Sequence, residues 1–278
     1  MKKLLVGSIY APDPRNETWL RLQLQFLKKT VGDFDHVVIL NRVDPKLFRD
    51  SKVLYSIPVT EAWGTNELTK AMDTLMRYFI ENDGYRDYLM IDSDAFPAQA
   101  GWIDQLYHLM EERPNHGLSE RMFACPVRPE NLDRFPHGCA FFAKGAWFRQ
   151  QQPEKFSWEY MPGTNFMGET IKDVTFKDAS AVTDAEGRQV WLPLMRTNTI
   201  NLHPILGAMY GHLFYHHGAG SRPPQFRAVL AQAYDNFADQ AYTDRRNVEM
   251  FRALKRDPAR YVRRLMTAQP ASRGLFAR

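Results

Sequence analysis

Four short runs in the first half of the chain, "KLLVGSIYAP", "HVVILN", "KVLYSIPV" and "DYLMID", are apolar or aromatic almost from end to end. The segments between them are amphipathic. "ETWLRLQLQFLKKTV" puts Trp19, Leu22, Phe26 and Leu27 on one helical face. Residues 66–82 place Leu68, Met72, Leu75, Met76, Phe79 and Ile80 at spacings of three and four, with Asn66, Lys70, Asp73 and Arg77 along another face. "GWIDQLYHLMEE" reads as a further helix, stopped by "RPNHG". Strands that do not alternate must be buried on both faces, and short helical crossovers make neighbouring strands parallel. The expected fold is therefore α/β: a Rossmann-like, mostly parallel central sheet flanked by helices.

The second half is less regular. "RMFACPV", "CAFFAK" and "RQVWLPL" read as strands, "FMGETIKDVTFKDA" as a helix, and "YGHLFYHHGAGSRPP" as an aromatic-rich strand with a glycine-rich turn. Beyond Pro224 the composition becomes helical and basic. We therefore divide the chain into a ligand-binding domain, 1–222, and a basic helical C-terminal extension, 223–278. Past Arg245 the only acids are Glu249 and Asp257, so the net charge of +4 is concentrated there. Such a tail suits an anionic membrane surface or another polyanion, at about 1 kcal/mol per basic residue; a solvated helical face is the plainer reading. Its few aromatics argue against nucleic acid. Two cysteines, Cys125 and Cys139, suit a reducing compartment. The N-terminal apolar run is short and has no small-residue cleavage site, so it reads as a strand rather than a leader. The expected location is cytoplasmic.

The chemistry-bearing stretch is "YLMIDSDAFP". Asp92 and Asp94 leave the carboxyl end of an apolar strand, where open α/β sheets bind ligands. A pair of carboxylates there can hold a hard divalent cation, or can simply be turn and capping residues. A second acidic pair, Asp33 and Asp35, precedes its strand and so falls at the opposite edge. In "YHHGAGSR", adjacent histidines on a strand point to opposite faces, so one of His216 and His217 can meet a given site. Arg222 follows as a possible phosphate partner. "RFPHG" sets His137 and Gly138 at a strand opening where a ligand could approach. Glu169 and Asp173 would share one face of the expected helix, where one could act as a general base. Trp63 and Gly64 break the chain before the long helix, whose N-terminus could receive a phosphate; Asn66, Lys70 and Arg77 project beyond it as donors.

Together these stretches resemble the GT-A class of nucleotide-sugar-dependent glycosyltransferases. "YLMIDSDAFP" is similar to that class's Asp-x-Asp motif, "FYHHGAGSR" to its late histidine, and "FPHGCAFF" to the strand beside the donor sugar. The resemblance implies that Asp92 and Asp94, with His216 or His217, bind Mn²⁺ or Mg²⁺ at the donor's diphosphate, with Ser93 between them. It also implies that Tyr10, Asp13 and Asp44 lie near the base. The implied partners are a nucleoside-diphosphate sugar, UDP-sugars being favoured, and a glycan or glycolipid acceptor in bacterial polysaccharide or glycolipid synthesis. "GETIKDV" matches the acidic motif of inverting members only loosely, which leaves inversion or retention open. A rival reading is a phosphatase or phosphotransferase with an aspartate nucleophile. Those enzymes place Asp-x-Asp on the first strand with Thr or Val two residues further on, where this chain has Phe96. A non-catalytic sugar- or nucleic-acid-binding protein is the third.

Overall fold

The computed structural model describes residues 2–57, 67–112, 122–127, 136–149, 158–164, 170–176, 191–198, 207–218 and 240–267. The chain opens as β1 (Lys2–Tyr10), α1 (Asn16–Thr30), β2 (Asp35–Asn41), β3 (Lys52–Ile57), α2 (Glu67–Glu81) and β4 (Tyr85–Asp92). A short β5 (Ala95–Pro97) and α3 (Trp102–Glu111) follow, then β6 (Phe123–Val127), β7 (Ala140–Lys144) and the one-turn α4 (Gly145–Phe148). Next come β8 (Trp158–Thr164), β9 (Thr170–Phe176), β10 (Trp191–Met195), β11 (Ala208–Tyr210) and β12 (Phe214–His216). Helices α5 (Gln240–Arg256) and α6 (Pro258–Thr267) close the described chain.

Seven strands form the central sheet in the order β10-β6-β7-β4-β1-β2-β3. All run parallel except β7, which is antiparallel to both β4 and β6. From β1 the chain moves outward through β2 and β3, then returns across β1 to β4 on its other side. The order therefore reverses between β1 and β4, the switch point at which open α/β sheets form a crevice beyond the carboxyl ends of their strands. Leu5 on β1 pairs with Asp35, and Ile9 pairs with Asp92. The two acidic pairs thus lie about 13 Å apart along the strands, at opposite ends of the sheet. Asp35 accepts a hydrogen bond from the Tyr85 hydroxyl, a structural tie at the edge away from the crevice.

Alternate residues of β1 enter different cores, which is why its sequence is apolar on both faces. Leu5 and Ile9 meet Met72, Leu75, Met76 and Phe79 of α2, together with Trp147 and Phe148 of α4. Leu4 and Val6 join a cluster with Trp102, Leu106 and Met110 of α3. Tyr10 packs with Trp19, Leu22 and Phe26 of α1. Leu254, Val262 and Leu265, from α5 and α6, are buried in that last cluster. The basic C-terminal helices are therefore packed against α1 through their apolar faces. No described helix is long and apolar enough to cross a membrane.

One expectation fails. Within "GETIKDVTF" the described residues, Thr170–Phe176, form not a helix but β9, paired antiparallel with β8 in a separate two-stranded sheet. Thr170, Ile171, Val174 and Thr175 are β-branched, and that preference prevails over the four-residue spacing of the acids. Asp173 therefore lies on a strand rather than on the expected helical face. The aromatic-rich strand expected in "YGHLFYHHGAGSRPP" is the short β12, which forms a hairpin with β11 and pairs with β5 in a three-stranded sheet.

Two positions give direct tests. A Cβ on Gly7 would sit 2.7 Å from the Phe79 ring and 3.0 Å from Leu75, both fully buried. Gly7→Ala should therefore cost about 1–3 kcal/mol, read as a lowered urea midpoint. His36 is buried between Ser8 (3.0 Å) and Ser51 (2.8 Å). Ser8 gives its proton to Gln23, so His36 Nε2–H donates to Ser8 and Nδ1 accepts from Ser51. Burial lowers the His36 pKa from 6.5 to about 4. Between these values the unfolded chain binds the extra proton, so stability falls as pH drops through that window. The stability advantage of wild type over His36→Asn should shrink by up to about 3 kcal/mol between pH 7 and pH 4, measured by urea denaturation.

Candidate active site

The crevice at the carboxyl ends of β1 and β4 holds the acidic pair. Asp92 ends β4, Ser93 and Asp94 form the turn, and β5 begins at Ala95. Strand β12 lies antiparallel to β5, with His216 opposite Ala95, Tyr215 opposite Phe96 and Phe214 opposite Pro97. The next residue extends this pairing, as His217 N–H donates to the Asp94 carbonyl at 3.0 Å. Backbone register alone thus sets a histidine beside carboxylates more than a hundred positions earlier in the chain.

His216 Nε2 lies 3.4 Å from Asp94 Oδ1 and 3.6 Å from Asp92 Oδ2. The ligand atoms of Asp92, Asp94 and His216 are all within 4.8 Å of one another, close enough to converge on one ion. His217 takes a different place. Its Nδ1 hydrogen-bonds the Tyr215 hydroxyl at 2.7 Å and its ring packs 5.0 Å from Trp19. The structure therefore sets His216, not His217, against the carboxylates.

The two acids are unequal. The Asp94 side chain is buried at 5% exposure, while that of Asp92 is 29% exposed. Burial pushes the Asp94 carboxyl up. The charge and hydrogen bond of His216, with lesser help from His217 and Arg15, outweigh that and bring it to about 2. Asp94 is therefore a carboxylate at any physiological pH. Two carboxylates within 4.8 Å repel by about 3–4 kcal/mol at an effective dielectric of about 20, so the pair needs positive charge nearby. The donor set fits a divalent ion: two hard carboxylate oxygens and one imidazole suit Mn²⁺ better than the all-oxygen shell that Mg²⁺ favours.

The acidic turn is held from below by a residue that the sequence reading did not single out. Gln23 on α1 is fully buried. Its Nε2 donates to the carbonyls of Asp92 and Ala95, both at 2.9 Å, spanning the turn. Its Oε1 accepts from the hydroxyls of Ser8 (2.8 Å) and Tyr10 (2.9 Å). All four bonds available to the amide are made. A signal for it was present: Gln23 falls four residues after Trp19 and three before Phe26, a polar residue on the apolar stripe of α1.

Arg15 was also missed. Asp13 accepts from its backbone N–H (2.8 Å), Nε (2.9 Å) and Nη2 (2.9 Å), which fixes the guanidinium over the rings of Phe251 and Trp19. The remaining sequence candidates divide by place. Tyr10 is wholly buried beneath the site and bonded to Gln23, so its ring face is not open to a base; burial, then the Asp94 charge, raises its pKa. Asp44 accepts from Lys46 N–H and caps a short 3₁₀ turn, Pro45–Phe48. Lys70 is exposed in the first turns of α2. Arg77 lies about 10 Å further along the helix, next to Tyr78, which bonds Lys52 at the start of β3. That is the end of the sheet remote from Asp92. Ser93 is buried within the turn, and His137 packs its ring 5.7 Å from that of His216 with Gly138 beside it. Asp173 lies on β9, while Glu169, Trp63, Asn66 and Arg222 fall outside the described residues.

No protein-family model and no curated protein matches the chain. Among solved structures, it is similar to the galactosyltransferase LgtC, in complex with donor and acceptor sugar analogs. That match has 8% identity and a TM-score of 0.35, over 55% of this chain and 62% of that one. The mannosyltransferase PcManGT from Pyrobaculum calidifontis, in complex with GDP-Man and Mn²⁺, matches at 13% identity and a TM-score of 0.34, over 51% and 44%. A protein assigned as a nucleotide-diphospho-sugar transferase from Desulfovibrio desulfuricans G20 matches at 11% and 0.39, over 70% and 80%. The matched region spans less than two thirds of the first two proteins. Overlaps of this size are partial, and the geometry of the site itself is what bears on function.

Gln23→Glu tests the clamp. The replacement keeps the shape but turns a carboxylate oxygen toward two carbonyls. It should destabilise the fold by about 1–3 kcal/mol in urea denaturation, whereas Gln25→Glu on the exposed face of α1 should change little.

Proposed function

We propose that this protein is a metal-dependent glycosyltransferase that moves a sugar from a nucleoside-diphosphate donor to a hydroxyl acceptor. The observation that carries the reading is the convergence of Asp92, Asp94 and His216 at the point where the sheet order reverses. That position is where open α/β sheets bind nucleotides, and the donor set suits a hard divalent cation. It coincides with the Asp-x-Asp and late-histidine stretches through which the sequence resembles the GT-A class.

On this reading Asp92, Asp94 and His216 hold Mn²⁺ or Mg²⁺. The ion, when bound, supplies Lewis-acid stabilisation of the negative charge that builds on a departing nucleoside diphosphate. Gln23 fixes the backbone on both sides of the acidic turn, so the carboxylates are set before a ligand arrives. Arg15, oriented by Asp13 and stacked over two rings, adds positive charge close enough to lower the Asp94 pKa. It is our candidate for a second phosphate contact. His137 and Gly138 line the side of the site next to His216. For an inverting transfer, Glu169 and Asp173 remain the proposed bases; retention needs none on the far face.

The C-terminal helices extend the proposal to location. Arg252, Lys255, Arg256, Arg260, Arg263 and Arg264 are exposed while Leu254, Val262 and Leu265 are buried. A basic face on a packed scaffold suits an anionic bilayer surface, and with it a lipid-linked acceptor.

Two experiments test these readings. UDP, GDP and CDP, and their sugars, are titrated calorimetrically with Mn²⁺ or with EDTA. Binding of at least one nucleoside diphosphate should require the metal and be lost in Asp94→Ala. Tight binding indifferent to both EDTA and that substitution would remove the metal-site reading. For the basic face, Arg260→Glu/Arg263→Glu/Arg264→Glu should sediment less with phosphatidylserine vesicles at unchanged thermal stability. Equal sedimentation would leave the face as merely solvated.

A further inference from the structure

His216 belongs to a second group of metal-ligating side chains. Its ring and the side chains of His137 and Cys139 present ligand atoms all within 4.8 Å of one another, and all three residues are buried. The grouping follows from the same topology that builds the acidic site. Strand β7 runs antiparallel to β4, so Asp92 N–H donates to the Cys139 carbonyl at 3.0 Å and Cys139 sits directly across from Asp92. His137 lies two residues earlier, its N–H tied to the Pro126 carbonyl at 2.8 Å, with its ring edge-on to that of His216. Cys139 is not disulfide-bonded.

We infer that His137, Cys139 and His216 form a thiophilic metal site, distinct from the carboxylate pair, that takes Zn²⁺ or a similar soft divalent ion and competes with Mn²⁺ or Mg²⁺ for His216. Two imidazoles and a thiolate are the donors that select Zn²⁺ over the hard cations. In a tetrahedral Zn²⁺ site, nitrogen and sulfur ligands stand about 3.3–3.6 Å apart, as follows from bond lengths of about 2.0–2.3 Å. Side-chain rotations that draw the three atoms in by about 1 Å complete the geometry, and leave the fourth position for water. Binding takes the proton from the Cys139 thiol and requires a neutral His216, so it releases protons and strengthens as pH rises. Competition follows from valence. A neutral imidazole carries one lone pair, since its other nitrogen holds a proton. His216 can therefore serve the ion between Asp92 and Asp94 or the ion beside Cys139, but not both. A soft metal at the second site thus withdraws the histidine from the carboxylates and weakens the first. The competitive half of this inference rests on the proposed reading of Asp92, Asp94 and His216; the thiophilic site itself does not.

Co²⁺ is the probe, because ligation by a thiolate gives it a near-ultraviolet charge-transfer band that carboxylates and imidazoles do not. The full chain, reduced and metal-free, is titrated with Co²⁺. The band should develop in wild type, persist in Cys125→Ala and in Asp94→Asn, and vanish in Cys139→Ala. His137→Gln provides a second variant should Cys139→Ala not fold, and should also lose the band. Absence of the band in wild type, or its persistence in Cys139→Ala, would overturn the site. Retention in Asp94→Asn keeps the result independent of the carboxylate reading. Mn²⁺ binding is then followed by electron paramagnetic resonance at increasing free Zn²⁺. Its apparent Kd should rise with Zn²⁺ in wild type and rise much less in Cys139→Ala. An equal rise in both would place the competition at the carboxylates themselves and overturn the coupling through His216.

Discussion

Three residue pairs between β5 and β12 hold the whole site together. Without them the acidic turn would be a loose loop leaving the sheet, and His216 would have no reason to lie near it. A strand of three residues has no stability of its own. What fixes β5 is its surroundings: the Phe96 ring stacks on Phe26 of α1 at 4.3 Å and leans on Tyr215 of β12 at 5.0 Å. From the backbone side, Gln23 grips the carbonyls that flank the turn. The placing of the chemistry therefore follows from apolar packing on one face of a helix, with a single amide in the middle of it.

The electrostatic design is asymmetric. Asp94 is buried, ionised and hydrogen-bonded to its neighbour, so it behaves as a fixed charge. Asp92 is only partly buried. Such a division suits a site that must keep its charge when empty yet accommodate a ligand's geometry on arrival. The same buried imidazole that holds down the Asp94 pKa is also within reach of a cysteine and a second histidine. One side chain thus stands between hard and soft coordination chemistry.

The elements of the sheet were legible because a parallel, doubly covered strand must be continuously apolar, and β1, β2 and β4 are. Asp92 and Asp94 were legible for a related reason: charge is out of place at the end of such a strand unless something there uses it. His216 could be narrowed to a pair but no further, since strand parity says that two adjacent residues point apart without saying which way. Two acids four apart suggest a helix over the stretch that becomes β9, Thr170–Phe176, but the four β-branched residues Thr170, Ile171, Val174 and Thr175 decide for a strand. Gln23 and Arg15 escaped for another reason. Their roles depend on which turn α1 faces and which ring lies beyond it, and those are facts of tertiary packing rather than of local pattern. Tyr10 shows the converse. Its place at the end of β1 was right, but its hydroxyl points inward to an amide rather than outward to a ligand.

Trp19 stands 4.9 Å from Phe251, and the guanidinium of Arg15 lies over both rings. The N-terminal turn of the first helix is thus finished by a helix made some two hundred residues later in synthesis. This has a consequence in time rather than in space. As the chain emerges from the ribosome, β1, α1 and β2 can pair early, yet the ring that supports Arg15 and the strand that delivers His216 both come near the end. The sheet can form while the chain is growing, but the charged mouth of the crevice is assembled only when the last helices arrive.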